Sequence, residues 1–201
     1  MNGSTGRKDI NHYRKLFHFL AGCVVVATLV IFEPSKRWAI WLLAVSTGIL
    51  VAIDIVRHVS RLGGRLFWEY LGFLTSDKDR RGPTTSVFYA VTLMLVVLVL
   101  PTPMAVGAIL SLAAGDPVAA IVGRRWGRIR LGRKSLEGAF ANAATSFILM
   151  RPFVHSTVVA AAGSVAGAAA ELLEVPLLDD NITIPLAAGG AMYLTAYFTG
   201  F

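Results

Sequence analysis

Met104-Ala-Val-Gly-Ala-Ile-Leu-Ser-Leu-Ala-Ala-Gly115-Asp116-Pro117-Val-Ala-Ala-Ile-Val-Gly123-Arg124-Arg125 is an apolar run that holds one carboxylate in its interior and ends in paired arginines. A helix needs about 20 apolar residues to cross a hydrocarbon core, and the span read here, 103–123, supplies them. Its centre is unusual. Glycine suits a helix C-terminus, aspartate is a favoured N-cap, and proline is favoured at the first helical position. Gly115-Asp116-Pro117 therefore reads as one half-helix ending and another beginning within the membrane, with a simple proline kink as the alternative. Broken helices are tolerated at that depth where they line a cavity, and their free N-termini attract anions. Asp116 is thus a candidate N-cap, metal ligand, or both.

Outward from this span, further apolar segments lie at 16–32, 38–56, 84–100, 138–150, 156–173 and 183–200. The stretch 65–74, with Leu66, Phe67, Trp68, Tyr70, Leu71 and Phe73, is too short to cross and predicts an amphipathic helix along the interface. Hydrophobic residues make up 55% of the chain and charged residues 15%, against about 25% charged in soluble domains. Mean hydropathy is +0.64. The fold class expected is all-α, a polytopic membrane protein of about seven transmembrane helices, one of them broken. A single membrane domain, 1–201, is the simplest division, with 1–13 a polar tail and no cleavable leader. The lone cysteine, Cys23, excludes a disulfide framework and any Cys-rich zinc site.

The net charge of +7 does not point to nucleic acid, because the basic residues sit in short loops between apolar blocks. Sixteen of the nineteen Lys and Arg lie in the N-terminal tail, in the loop after the second span, or in the loop after the fourth; Lys36, Arg37 and Arg151 are left for the other face. That bias predicts a multi-pass protein with a cytosolic N-terminus and a C-terminus on the opposite face, in the cell membrane if the source is prokaryotic. All of the twelve acidic residues except Glu33 fall toward the cytosolic side. Asp54, Asp116, Glu137, Glu171, Glu174, Asp179 and Asp180 lie near the inner ends of different helices. Ionisable groups at membrane depth usually face a polar interior or an aqueous cavity, so a cytosol-facing polar site is expected. Ion pairing at helix ends, such as Asp54 with Arg57 at i, i+3, is the plainer reading.

Three segments carry chemistry. Gly123-Arg-Arg-Trp-Gly127-Arg-Ile-Arg-Leu-Gly132-Arg-Lys134-Ser135-Leu-Glu137-Gly138 combines glycines, which let a backbone approach phosphate, with charged donors. It is not a P-loop: the spacing is off by one residue and no βαβ pattern surrounds it. Orientation alone would explain Arg124, Arg125, Arg128 and Arg130, but not Lys134-Ser135-x-Glu137-Gly138. Asp179-Asp180-Asn181, just before the last span, offers hard oxygen ligands suited to Mg²⁺, or plain helix caps. Arg14, Lys15 and His18 begin the first span, with His18 some way into the apolar run. His12, His58 and His155 show no zinc-ligand pattern.

The ordered set Arg14-Lys15-x-x-His18, Asp54-x-x-Arg57, Gly115-Asp116-x-x-Ala119-x-x-x-Gly123, Lys134-Ser135-x-Glu137-Gly138 and Asp180-Asn181-x-x-x-Pro185 resembles the CTP-dependent lipid-alcohol kinases: dolichol kinase, phytol kinase and the yeast-type diacylglycerol kinase. It resembles the phosphatidate cytidylyltransferases more distantly. The resemblance implies a magnesium-dependent kinase that takes CTP and a lipid alcohol from the bilayer. It places the nucleotide at Gly123, Arg124, Gly127, Lys134, Ser135 and Gly138, with Arg14, Lys15 and His18 alongside. It makes Asp116, Asp180 and Asn181 the metal ligands, with Asp116, Lys134 and Glu137 catalytic. Glu137 would orient Lys134 or assist the metal, and Asp116 would accept the alcohol proton. CDP-lipid synthesis is the first alternative. A transporter is the second, disfavoured because an alternating-access path needs polar lining on both sides.

Overall fold

Every apolar segment anticipated above is helical. The computed structural model describes residues 5–32, 35–75, 77–80, 82–173 and 178–200, with side chains described outside 5–12, 77 and 78. Glu33, Arg81 and Glu174 lie outside the described residues. The elements are α1 (Thr5–Ile31), α2 (Arg37–Val59), α3 (Arg61–Tyr70), α4 (Thr85–Val99), α5 (Thr102–Leu110), α6 (Asp116–Trp126), a short hairpin of β1 (Arg130–Leu131) and β2 (Lys134–Ser135), α7 (Leu136–Met150), α8 (Thr157–Leu173) and α9 (Asp180–Thr199). Among the described residues, three helical stretches have the length and apolarity to cross a membrane: Tyr13–Ile31, Arg37–Val59 and Thr102–Trp126. Thr85–Val99 and Thr157–Leu173 are apolar but shorter. This is an all-α membrane protein.

The break expected at Gly115-Asp116-Pro117 is not a break. A π-helical turn, Ser111–Gly115, joins α5 to α6, and both Gly115 (φ −61°, ψ −52°) and Asp116 (φ −61°, ψ −45°) stay helical. Pro117 has no N–H to give the carbonyl four residues back, so the ladder must adjust there. A single wide turn accommodates the loss without ending the helix. All five residues of the turn are buried, so the protein surrounds the irregular backbone and no gap opens to lipid.

The core is a sheath of helices around α5. Leu93, Val96 and Val97 from α4, Ile109 from α5, Met150 from α7, and Ile184 and Met192 from α9 are all at most 1% exposed. Small residues set the close approaches. A Cβ at Gly163 of α8 would collide with the Met192 side chain, and one at Gly107 of α5 would sit 3.1 Å from Met192 Sδ. Close backbone packing of this kind is how helices associate where hydrophobic driving force is weak.

Two of the basic residues assigned from sequence to the far face have structural duties. Lys36 Nζ donates to the carbonyls of Val97 (3.1 Å) and Leu100 at the end of α4. Arg151 donates to the carbonyls of Val154 and His155 at 2.5 and 2.8 Å. A cation at a helix C-terminus satisfies carbonyls that have no partner in the helix, as Lys36 does for α4; Arg151 instead braces the connection between α7 and α8. The predicted interfacial stretch begins earlier than expected, at Arg61, because the Ser60 hydroxyl accepts from Gly63 N (3.2 Å) and starts α3. Phe67 points inward while Leu62, Leu66 and Tyr70 are exposed, as an amphipathic helix requires.

Candidate active site

The site forms where the first turn of α6, the hairpin, the N-terminal half of α1, the end of α8 and the start of α9 meet. The hairpin delivers its central cation. Gly132 (φ 60°) occupies the first of two turn positions, with Leu131 paired to Lys134 across the turn. A positive φ at that position is what a tight two-residue hairpin demands, and glycine supplies it without strain. The strand then ends on Ser135, whose hydroxyl accepts from Gly138 N at 3.1 Å and caps α7.

Lys134 Nζ lies 2.8 Å from Asp180 Oδ2, 3.2 Å from Glu171 Oε1 and 3.8 Å from Asp116 Oδ1. Three helices therefore aim carboxylates at one ammonium. Burial pushes the Lys134 amine down, but the Asp116, Glu171 and Asp180 carboxylates outweigh it and hold it above the ordinary lysine range. Lys15 of α1 joins from the other side, its Nζ 2.6 Å from Asp116 Oδ2. Behind Glu171 the network continues into the bundle. Asn142 Nδ2 donates to Glu171 Oε2 at 2.6 Å, and Ser146 Oγ donates to Asn142 Oδ1 at 2.8 Å.

The structure thus brings together Asp116, Lys134, Asp180 and Lys15 of the residues anticipated from sequence. Asn181 is beside them in the first turn of α9, its amide nitrogen donating to Asp179 Oδ1 at 2.5 Å. Glu137, expected to orient Lys134 or assist a metal, instead accepts from the backbone N–H of Arg128 (2.9 Å) and Ile129 (3.1 Å). Its own backbone N–H, followed by that of Arg128, holds the Glu137 carboxyl below the usual carboxylate range. Glu137 is therefore the clamp that ties the basic loop to α7.

The loop glycines have a packing reason. Cβ atoms at Gly123, Gly127 and Gly138 would lie 2.8, 2.7 and 3.1 Å from Ser135 Oγ, so these glycines let the end of α6 and the start of α7 close around that hydroxyl. Arg124 is exposed and donates from Nε to Ala120 O. Arg14 is half-buried on α1. His18, one turn deeper than Lys15, is buried and stacked on Tyr89 with ring centroids 4.4 Å apart, so it is not on the solvent side of the site.

Asp54-x-x-Arg57 does not reach this site. Arg57 Nε donates to Asp54 Oδ1 at 2.6 Å, and its terminal nitrogens donate to the carbonyls of Asp79 (2.8 Å) and Gly82 (2.6 Å). The plainer helix-end reading holds for that pair.

Sequence reasoning missed Asn142 and gave Glu171 no role. Asn142 and Ser146 are an i, i+4 polar pair inside an apolar, small-residue run, and that spacing was the available signal. The hairpin was missed as well, although Gly132 followed by Arg133 is a recognisable two-residue turn.

For a divalent cation the donor chemistry is suitable: carboxylate oxygens of Asp116 and Asp180 flank one point, and Mg²⁺ favours such hard ligands. Among the described residues, no group of three or more His, Cys, Asp or Glu is arranged to hold a metal. The carboxylates converge on the Lys134 ammonium instead.

Helical and centred on an ammonium among carboxylates, this is a membrane protein with a polar cluster at a helix junction. The curated relatives narrow the class. The chain is 26% identical over 149 residues to the dolichol kinase of Saccharomyces cerevisiae, matching 70% of this chain and 27% of that one. It is 37% identical over 128 residues to the phytol kinase of Synechocystis, matching 56% of this chain and 54% of that one. It is 27% identical over 166 residues to the CTP-dependent diacylglycerol kinase 1 of Schizosaccharomyces pombe, matching 70% of this chain and 73% of that one. The chain spans less than two thirds of the length of the dolichol and phytol kinases it matches. No family model and no solved structure matches. These similarities are all to kinases named for a lipid alcohol, the class that the ordered motifs resemble.

Proposed function

We propose that this protein transfers the γ-phosphoryl group of CTP to the hydroxyl of a membrane lipid alcohol at the cytosolic face, acting as a single membrane-embedded domain. The observation that carries the reading is the convergence of Asp116, Glu171 and Asp180 on Lys134 beside a basic loop. Phosphoryl transfer needs positioning and charge neutralisation more than covalent help from the protein, and these groups are of the right kind. The names of the relatives agree with the acceptor class, and CTP is named in that of the diacylglycerol kinase.

Lys134, with Lys15 and Arg14 on the other side of Asp116, binds the phosphates, while the Gly123–Gly138 segment, including Arg124, frames them. Asp116, Asp180 and the carbonyl oxygen of Asn181 would hold Mg²⁺. When bound, the ion neutralises charge developing on the phosphate oxygens. The acceptor is an uncharged alcohol entering from the bilayer. Its oxygen forms the new bond to the γ-phosphorus as its proton passes to the Asp116 carboxylate, the bond from the γ-phosphorus to the β-phosphate oxygen breaks, and CDP leaves.

Two experiments test this. The purified protein is incubated with Mg²⁺, a panel of phytol, farnesol, dolichol and diacylglycerol, and CTP labelled at either the γ or the α phosphorus. Label entering lipid only from the γ position is expected. Lipid labelled from the α position, with pyrophosphate released, would replace the kinase reading with nucleotidyl transfer. For orientation, Arg128→Cys and Thr102→Cys are placed singly in a Cys23→Ala background and treated with an impermeant thiol reagent on intact cells. Thr102→Cys should react and Arg128→Cys should not; the reverse pattern would invert the topology and remove the site from its nucleotide supply.

A further inference from the structure

Both oxygens of Glu171 are engaged by the protein. Oε1 faces Lys134 Nζ at 3.2 Å, and Oε2 accepts from Asn142 Nδ2 at 2.6 Å. Glu171 is 3% exposed and Asn142 0%, whereas the Asp180 side chain is 37% exposed. Asn142 is fixed in turn by Ser146, and Gly115 is pressed against both, since a Cβ there would collide with Asn142 Oδ1 and lie 2.7 Å from Ser146 Oγ. The three carboxylates around Lys134 are therefore unequal. Asp180 stands at the edge, Asp116 is 17% exposed and shared with Lys15 at 2.6 Å, and Glu171 is locked from behind.

We propose that Asn142 and Glu171 are positioning residues that hold Lys134 in place when Asp116 and Asp180 turn to incoming ligand. The inference rests on the functional reading above and adds residues to it. A lysine ammonium on a flexible four-carbon stem has no preferred geometry of its own. With three carboxylates in reach, it would follow whichever moved. One partner that cannot move keeps the cation at the phosphate position throughout turnover. The ladder from Ser146 through Asn142 to Glu171 makes that partner immobile.

The test exchanges the two groups. Glu171→Gln alone removes the charge that faces Lys134. The double variant Asn142→Asp/Glu171→Gln keeps the total charge and the amide–carboxylate pairing, but leaves a neutral amide toward Lys134. Unfolding temperature in detergent is measured with kcat and the KM for the alcohol, using γ-labelled CTP and phytol or farnesol. Glu171→Gln should lower kcat at least about tenfold, in line with a lost hydrogen bond to a charged group. The double variant should recover the unfolding temperature while kcat stays down, and the alcohol KM should not move. Recovery of both stability and kcat in the double variant, or a Glu171→Gln variant of near-wild-type kcat, would overturn the proposal and leave the kinase reading standing. Absence of any transfer by the wild-type protein would overturn the kinase reading and this one with it. If the exchanged pair does not fold, a cycle with Lys134→Gln decides. Glu171→Gln should cost nothing further in that background if it acts through Lys134, whereas additive losses would refute the coupling.

Discussion

Arg57 and Lys134 are both cations set among acids, yet one is closed and the other open. The Arg57 guanidinium donates to Asp54, to the carbonyls of Asp79 and Gly82, and lies 4.9 Å from the Phe67 ring centroid. Its side chain is 3% exposed and all these partners come from one stretch of chain, 54–82. Asp54 also accepts from Thr84 N at 3.3 Å, so the pair pins the connection between α3 and α4. Lys134 is 20% exposed, and its partners come from three helices far apart in sequence. A rigid, planar fork held by a carboxylate and two backbone carbonyls fixes a loop, whereas a point charge shared among carboxylates can change partners. Charge alone therefore does not mark a site. Partial exposure and long-range convergence do.

The sharpest contrast should come from Arg57→Met. It strands the Asp54 carboxylate in a buried setting and removes the donors to two carbonyls, which should cost about 3–5 kcal/mol of stability. Turnover per folded molecule should stay near wild type; a selective loss of turnover, read by activity against the folded fraction, would erase the distinction between the two clusters. Next in size, Asp116→Asn and Asp180→Ala should each reduce turnover at least about 100-fold, or about 3 kcal/mol, with unfolding temperature little changed. Both variants keeping near-wild-type turnover at saturating Mg²⁺ would remove the carboxylates from the chemistry.

Gly115→Ala stands third. The added methyl meets Asn142 and Ser146, and overpacking of this kind costs about 1–3 kcal/mol. Because Asp116 is the next residue, turnover should fall along with thermal stability. The smallest effect concerns pH. The Glu137 carboxyl is held below its ordinary value, so its hold on the loop is present above the unfolded carboxylate range and is lost as pH falls through the folded value. Hydrogen exchange at the Arg128 and Ile129 amides, corrected for its intrinsic pH dependence, should speed up below about pH 4 and stay flat above pH 5. Lys134 runs the other way: its pKa is raised, so its contribution is intact at neutral pH and fades only above the ordinary lysine range.

The helices were readable because apolar length is a local signal, and Gly115-Asp116-Pro117, Lys134 and Asp180 stood out against apolar or basic surroundings. The meeting of their side chains was not locally readable. Lys15 pairs with Asp116 across 101 positions and Lys134 with Asp180 across 46, and no periodicity within one helix reports which helix ends will adjoin. The family resemblance supplied that juxtaposition. Glu137 misled for the opposite reason: its closeness to Lys134 in sequence suggested a pairing, but the hairpin turns Lys134 toward α8 and α9 while the first turn of α7 leaves Glu137 facing the loop.

The wide turn at Ser111–Gly115 also sets an angle. Each residue of a regular helix advances the direction of its side chain by about 100°. One residue more than a regular turn requires therefore rotates everything that follows by about that amount. Asp116 is the first residue to receive the rotation, and it meets Lys15 and Lys134 in its rotated setting. Shortening the turn by one residue would press the Pro117 ring toward the carbonyl four residues back, and would swing the carboxylate about a quarter of a revolution away from both lysines. The irregularity thus works as a fixed phase shift between the half of the helix that packs and the half that presents the acid.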